Sequence, residues 1–197
     1  MALRDTFVTP DEYLAYERRA EAKSEYDDGV IIAMTGASRE HNLIAWNIGG
    51  ELKVQLRGRP CEAYQADMRV RARGRRQYSY PDVVVVCGEP RFEDQDVDTL
   101  VNPIVLFEIL SPSTERYDRG RKFRGYQGIE SLMEYVLVAQ DEYRIERYTR
   151  QPDGQWLYTD YRSLDDVLEL GSVQCALRLR DIYDRVNPTA NDEDNEV

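Results

Sequence analysis

The spacing of apolar positions changes several times along the chain, and each change predicts a new element. Thr9-Pro10-Asp11-Glu12 reads as a helix start, with Thr9 as N-cap, proline at the first helical position and Glu12 closing a capping box. This helix is expected to reach about Ala22. The segment 25–29 then turns into a short strand over residues 30–34. A second helix begins near Ser38, where Ile44, Ile48, Leu52 and Leu56 recur every four residues and make one buried stripe. From residue 61 to 73 the period drops to two. Met68, Val70 and Ala72 fall on one face, and Asp67, Arg69, Arg71 and Arg73 on the other, as in a half-buried strand.

Continuous apolar runs follow at residues 80–87 and 104–110, separated by an acidic loop over 89–102. Such runs read as strands buried on both faces. Residues 115–127 are expected to be helical despite Gly120 and Gly125, and 134–139 is another core strand. Residues 143–150 and 155–161, around Pro152-Asp153-Gly154, read as a hairpin, and an amphipathic piece over 177–186 closes the domain. The pattern shows neither an internal repeat nor an interdomain linker. It predicts one α/β domain of mixed α+β character over residues 1–186, followed by a disordered acidic tail, 187–197.

Composition narrows this picture. A chain of 197 residues with 42% hydrophobic and 32% charged residues suits one domain with a sizeable core. It has neither a signal-peptide pattern nor an apolar stretch near the roughly 20 residues of a membrane span. Cys61, Cys87 and Cys175 form no zinc pattern and no disulfide framework, so reduced core thiols and a cytoplasmic location are expected. A net charge of −11 argues against a general nucleic-acid coat protein. Arg69, Arg71 and Arg73 would still make a local basic ridge able to hold phosphates. An exposed edge strand protected by charge would show the same pattern.

Chemistry enters with Glu108, a carboxylate inside Ile104-Val105-Leu106-Phe107-Glu108-Ile109-Leu110. An unpaired ionised carboxylate there would cost several kcal/mol, on the order of the penalty for burying one ion. A cation, a metal or a proton must hold it. Asp82 begins the neighbouring apolar run, and Lys122 follows in Asp118-Arg119-Gly120-Arg121-Lys122. Mg²⁺, with Mn²⁺ as a substitute, takes one or two carboxylates plus substrate phosphates, so Asp82 and Glu108 are candidate ligands. Lys122 could then orient the nucleophile or offset phosphate charge. The rival reading of Glu108 is a structural ion pair with Lys122 or an arginine. His41, the only histidine, points toward the buried stripe of the second helix, where a packed core role is the commoner one. It and Glu25 are second-tier candidates.

Together these strings resemble the Uma-two family of restriction-endonuclease-like proteins, within the PD-(D/E)xK nuclease superfamily. The resemblance rests on Thr9–Leu14, Glu25-Tyr26-Asp27-Asp28-Gly29, Met34-Thr35-Gly36-Ala37-Ser38 with His41-Asn42, and Tyr80-Pro81-Asp82-Val83-Val84-Val85. It continues through Glu108-Ile109-Leu110-Ser111-Pro112-Ser113-Thr114, Asp118–Lys122, Tyr126 and Glu134-Tyr135-Val136. It implies a restriction-endonuclease-like core, with a central mixed β-sheet flanked by helices. It also implies that Asp82 and Glu108 match the superfamily's two metal-binding acids. In the usual motif a lysine stands two residues after the second acid. That position is Leu110 here, which makes Lys122, on the following helix, its counterpart. Glu25 would match an acid contributed near the first helix. The resulting expectation is a Mg²⁺-dependent DNA endonuclease, as a homodimer because duplex cutting needs two active sites. A non-catalytic protein-interaction module keeping the fold, or a nuclease acting on RNA or branched nucleic acid, are the alternatives.

Overall fold

The structure, a computed structural model, describes residues 7–72 and 76–188. In chain order it begins with α1 (Pro10–Glu17), β1 (Ser24–Asp27), β2 (Val30–Ala33), α2 (Arg39–Gln55) and β3 (Cys61–Gln65). Then come β4 (Arg69–Ala72), β5 (Gln77–Ser79), β6 (Val83–Cys87), β7 (Thr99–Leu100) and β8 (Val105–Leu110). A helical stretch consists of α3 (Glu115–Tyr117), a π-helical turn (Asp118–Lys122) and α4 (Phe123–Tyr126). The chain closes with β9 (Glu134–Ala139), β10 (Ile145–Arg150), β11 (Trp156–Tyr161), β12 (Val167–Leu170), β13 (Cys175–Arg178) and α5 (Leu179–Ile182).

The central sheet has six strands in the order β11-β10-β9-β8-β6-β3, antiparallel except for the parallel pair β8–β9, so it is mixed. Both its faces are covered. Val83, Val85, Phe107 and Ile109 pack with Ile44, Ile48 and Leu52 of α2 and with Leu177 and Ile182 near the C-terminus. Val84, Val86, Leu106 and Leu110 pack the other way, with Val70, Leu100, Tyr126 and Tyr135. This two-sided burial is why β6 and, Glu108 apart, β8 are continuously apolar rather than alternating. A second sheet, β2-β1-β5-β4-β7, carries Glu25 and the arginines of β4. A two-stranded pair, β12–β13, completes the strands.

The Thr9 capping box forms, but α1 stops at Glu17, short of Ala22. Glu17 turns back there to accept from the Ser24 backbone N–H (2.9 Å) and hydroxyl (2.5 Å), which folds β1 against the helix. Glu25 is therefore a strand residue rather than part of the turn. The turn is Asp28-Gly29, both at positive φ, which joins β1 to β2 as a tight hairpin. The single strand expected over 61–73 is two strands in two different sheets. Ala66, at φ 61°, makes the corner, and its N–H donates to the Asp82 carbonyl at 3.0 Å. Alternation alone carries no information on which sheet a residue joins. The acidic loop contains β7, and the closing piece is β13 followed by a helix of four residues.

The reduced-thiol expectation is overturned. Cys61 and Cys87 stand opposite each other on β3 and β6 and form a disulfide, while Cys175 is free and buried. Only the strand register, not sequence spacing, brings the two together. The cysteine argument for a cytoplasmic location falls with it. Among the described residues no helix is long and apolar enough to cross a membrane. Of the expected acidic tail, residues 189–197 lie outside the described residues.

Candidate active site

β8 is buried from end to end, and Glu108 within it is 4% exposed. Its side chain shares the face of Leu106 and Leu110 by strand alternation. Its carboxylate accepts from the Lys122 ammonium at 3.0 Å and from the Tyr126 hydroxyl at 2.9 Å. Both donors come from the helical stretch, where Asp118, Lys122 and Tyr126 are buried at four-residue steps. The π-helical turn lies between them, and such turns recur at functional sites.

Lys122 is shared among acids. Its ammonium lies 2.9 Å from Glu25, 3.0 Å from Glu108 and 3.4 Å from Asp118. Glu25 is fixed from its other side by the Tyr80 backbone N–H at 3.1 Å. Asp82 precedes β6, whose register pairs Val83 with Phe107; one further step sets Asp82 opposite Glu108. The Asp82 carboxylate accepts the Ile109 backbone N–H at 2.6 Å, replacing a ladder bond at the strand end. Its other oxygen lies 3.2 Å from His41 Nε2. Thus His41 turns to Asp82 instead of disappearing into the helix stripe, and its Nδ1 is buried without a partner. The Ser38 N-cap, which accepts from the His41 N–H at 3.0 Å, fixes this first turn of α2.

The structure therefore assembles Asp82, Glu108, Lys122, Glu25 and His41 into one cluster with a dry end and a wetter end. Lys122 and Glu108 side chains are 6% and 5% exposed, whereas His41 and Asp82 are 17% and 18% exposed. Burial pushes the Glu108 carboxyl well above its usual range; Lys122 opposes this, but Asp118, Asp82 and Glu25 push the same way. Glu25 is raised as well, again by burial before its contacts. Burial alone would lower Lys122, but Glu108 and Glu25 outweigh it and hold the ammonium well above its usual range. One cation thus faces more negative charge than it can balance.

Hard oxygen donors on neighbouring strands fit Mg²⁺ or Mn²⁺ in kind, and the surplus of carboxylate charge fits a dication. Asp118 adds a buried oxygen, Oδ1, that accepts no hydrogen bond. Among the described residues no three His, Cys, Asp or Glu side chains form a preassembled metal cluster. Asp82 and Glu108 would then hold the ion with water and phosphate oxygens completing the shell. A surface hollow of about 520 Å³ lined by Arg71, Arg91, Phe92 and Val101 is separate from this cluster.

The basic ridge is corrected. β4 lies between β5 and β7, not at an edge. Arg69 is 2% exposed and bound to Asp98 at 2.7 Å, Thr99 at 2.9 Å and the Tyr80 hydroxyl at 2.8 Å. Arg71 is ion-paired with Glu93. Arg73 lies outside the described residues. The acids that cover β4, Asp98 and Glu93, come from the acidic loop much further along the chain, which strand alternation cannot reveal. Asp118 and Tyr126 were missed as site residues, although each stands four positions from Lys122, the helical spacing that puts them on its face. Tyr80 gave no signal, since it acts on Glu25 through its backbone.

The fold is that of a nuclease-like protein of mixed α+β class. It matches a crystal structure described as a "putative nuclease belonging to DUF820" from Anabaena variabilis, with a TM-score of 0.75 and 19% identity, covering 91% of this chain and 99% of that one. Residues 10–180 match the family model Uma2, described as "Putative restriction endonuclease", and the chain belongs to this family. Two uncharacterized Synechocystis proteins are similar. One, sll1609, is 39% identical over 153 residues, covering 78% of this chain and 86% of its own length. The other, slr1290, is 37% identical over 176 residues, covering 89% and 91%.

Proposed function

We propose that the protein is a metal-dependent endonuclease that hydrolyses phosphodiester bonds in DNA. The observation that carries this reading is the charge imbalance around Lys122: Glu25, Glu108 and Asp118 share one ammonium, with Asp82 opposite Glu108. Arg18 also gathers three acids, but in contact with water; around Lys122 the same crowding is buried, where it is costly. When bound, Mg²⁺ would supply a water of lowered pKa and screen phosphate charge. Asp82 and Glu108 would hold the ion. The Ile109 N–H fixes the Asp82 carboxylate, and the Tyr126 hydroxyl fixes that of Glu108. Lys122 holds its ammonium protonated, able to donate to the attacking water or the non-bridging phosphate oxygen. Glu25 positions Lys122, and His41 orients Asp82. Two copies, one for each strand, would complete duplex cutting.

The test pairs calorimetry with cleavage. Mn²⁺ is titrated into the wild type and Glu108→Gln with a short non-cleaved duplex present, and plasmid nicking is followed in Mg²⁺. The variant should lose metal binding and nicking, the latter by about a thousandfold, the scale expected when an electrostatic element of the transition-state site is removed. Equal behaviour of the two proteins would refute the metal assignment.

One observation favours a second reading, a non-catalytic interaction module. Both Glu108 oxygens are already within reach of donors, and the Glu108–Lys122 pair is closed to solvent. In that case Mn²⁺ binds neither protein, and the wild type nicks no substrate.

A further inference from the structure

Arg69 and Arg71 are engaged by acids, but the helical stretch that delivers Lys122 carries further arginines. Its inward side consists of Asp118, Lys122, Gly125 and Tyr126, all buried. Arg116, Arg121 and Arg124 are exposed on the other side. Arg121 reaches Asp27 at 2.8 Å yet stays 59% exposed. Arg116 and Arg124 have no carboxylate partner among the described residues, although acids outnumber bases in the whole chain by 37 to 26. Arg119, between them, is bound to Glu115 and Glu146. In so acidic a protein, two unmatched guanidiniums within nine residues, on the segment that carries the site lysine, are complementary to a polyanion.

We infer that the outward face of residues 115–126 holds the sugar–phosphate backbone of the nucleic-acid substrate, with Arg116 and Arg124 as the phosphate contacts and Arg121 between them. This rests on the nuclease reading above and adds where the strand runs. A guanidinium forks onto phosphate oxygens in bidentate fashion without reading the base. The inward face of the same helical stretch then sets Lys122 beside the scissile group while the outward face grips the flanking backbone.

The test measures binding of a short fluorescent duplex by anisotropy across a salt series, using the full chain carrying Asp82→Asn so that no cutting occurs. Adding Arg116→Gln and Arg124→Gln should weaken binding about tenfold and lower the salt slope by about 2, one for each lost phosphate contact. Both side chains are exposed, so the urea midpoint should not move. A matched control adds Lys53→Gln and Arg57→Gln instead, at the far end of α2. That end, at Gln55, is about 21 Å along the helix from His41, at about 1.5 Å per residue. The control should bind like its parent. Unchanged binding in the arginine pair, or an equal loss in the control pair, would overturn the inference and leave the nuclease reading standing. A wild-type chain that neither binds nor nicks duplex in Mg²⁺ would remove the nuclease reading itself.

Discussion

Two charge networks in this molecule, one partly open to water and one buried, look alike as sets of ion pairs and behave in opposite ways. Around Asp98, the guanidiniums of Arg18 and Arg69 meet an aspartate at 2.8 and 2.7 Å, and Thr99 donates to it at 2.8 Å. Burial would raise Asp98, but these donors outweigh it and hold the carboxyl far below its usual range. Around Lys122, three carboxylates meet one ammonium, and Glu108 is held far above its usual range. The first network also gathers three acids, since Arg18 reaches Asp94 at 2.7 Å and Asp96 at 2.6 Å, but water reaches those acids and two guanidiniums keep Asp98 ionised, so it welds the loop before β7 to α1 and β4. The second crowds three buried carboxylates on one ammonium, at a cost in stability that uptake of a proton or of a cation would relieve. Strained electrostatics of this kind mark a candidate site, whereas a count of salt bridges does not.

The sharpest way to break the comparison is to remove each cation. Lys122→Met should destabilise by about 3–5 kcal/mol in urea, because it strands buried carboxylates without a counter-charge. Arg69→Met should cost less, about 1–3 kcal/mol, since Arg18 still holds Asp98. Equal losses would mean that the two networks are alike.

Neutralising the acids should separate them further. Asp98→Asn is expected to lose about 1 kcal/mol, a figure kept small because a third of that side chain is open to water. Glu108→Gln should stay within about 1 kcal/mol of the wild type or gain, since Lys122 keeps Glu25 and Asp118. A clear loss in Glu108→Gln would turn that residue into a structural one.

The smallest effect is in pH, and the two acids carry opposite signs. Asp98 has a depressed value, so its contribution is complete above the ordinary 3.8 and is lost as pH falls toward the folded value. Glu108 has a raised value, so the advantage of its neutral form is complete below the ordinary 4.5 and is lost as pH climbs through the raised value. Urea midpoints taken from roughly pH 2 to 8 should show Asp98→Asn flattening the limb below the ordinary carboxylate value and Glu108→Gln flattening the limb toward neutrality.

The core strands and the central acids were legible in the sequence for one reason. A two-sided buried strand has an unbroken apolar signature, so a carboxylate inside it stands out, as Glu108 does. Lys122 was legible only in company with Glu108 and Asp82. What stayed hidden depends on contacts between distant segments. Arg69 looks outward until Asp98 and Thr99 are folded over it, and Cys61 meets Cys87 only through the β3–β6 register. His41 looks like a core residue until the strand end brings Asp82 to its ring. The break at Ala66 was invisible because an alternating pattern continues smoothly across a change of sheet.

The π-helical turn at Asp118–Lys122 has a consequence for how this lysine can be inherited. Such a turn is an α-helix holding a surplus residue, so its removal lets the coil snap back by about 100° of rotation, the arc of one residue. Deleting Gly120 would swing the ammonium out of the acid cage without changing any residue in it. The position of Lys122 is therefore encoded as a count along the chain, and an insertion or deletion could silence the site while every conspicuous acid remained in place.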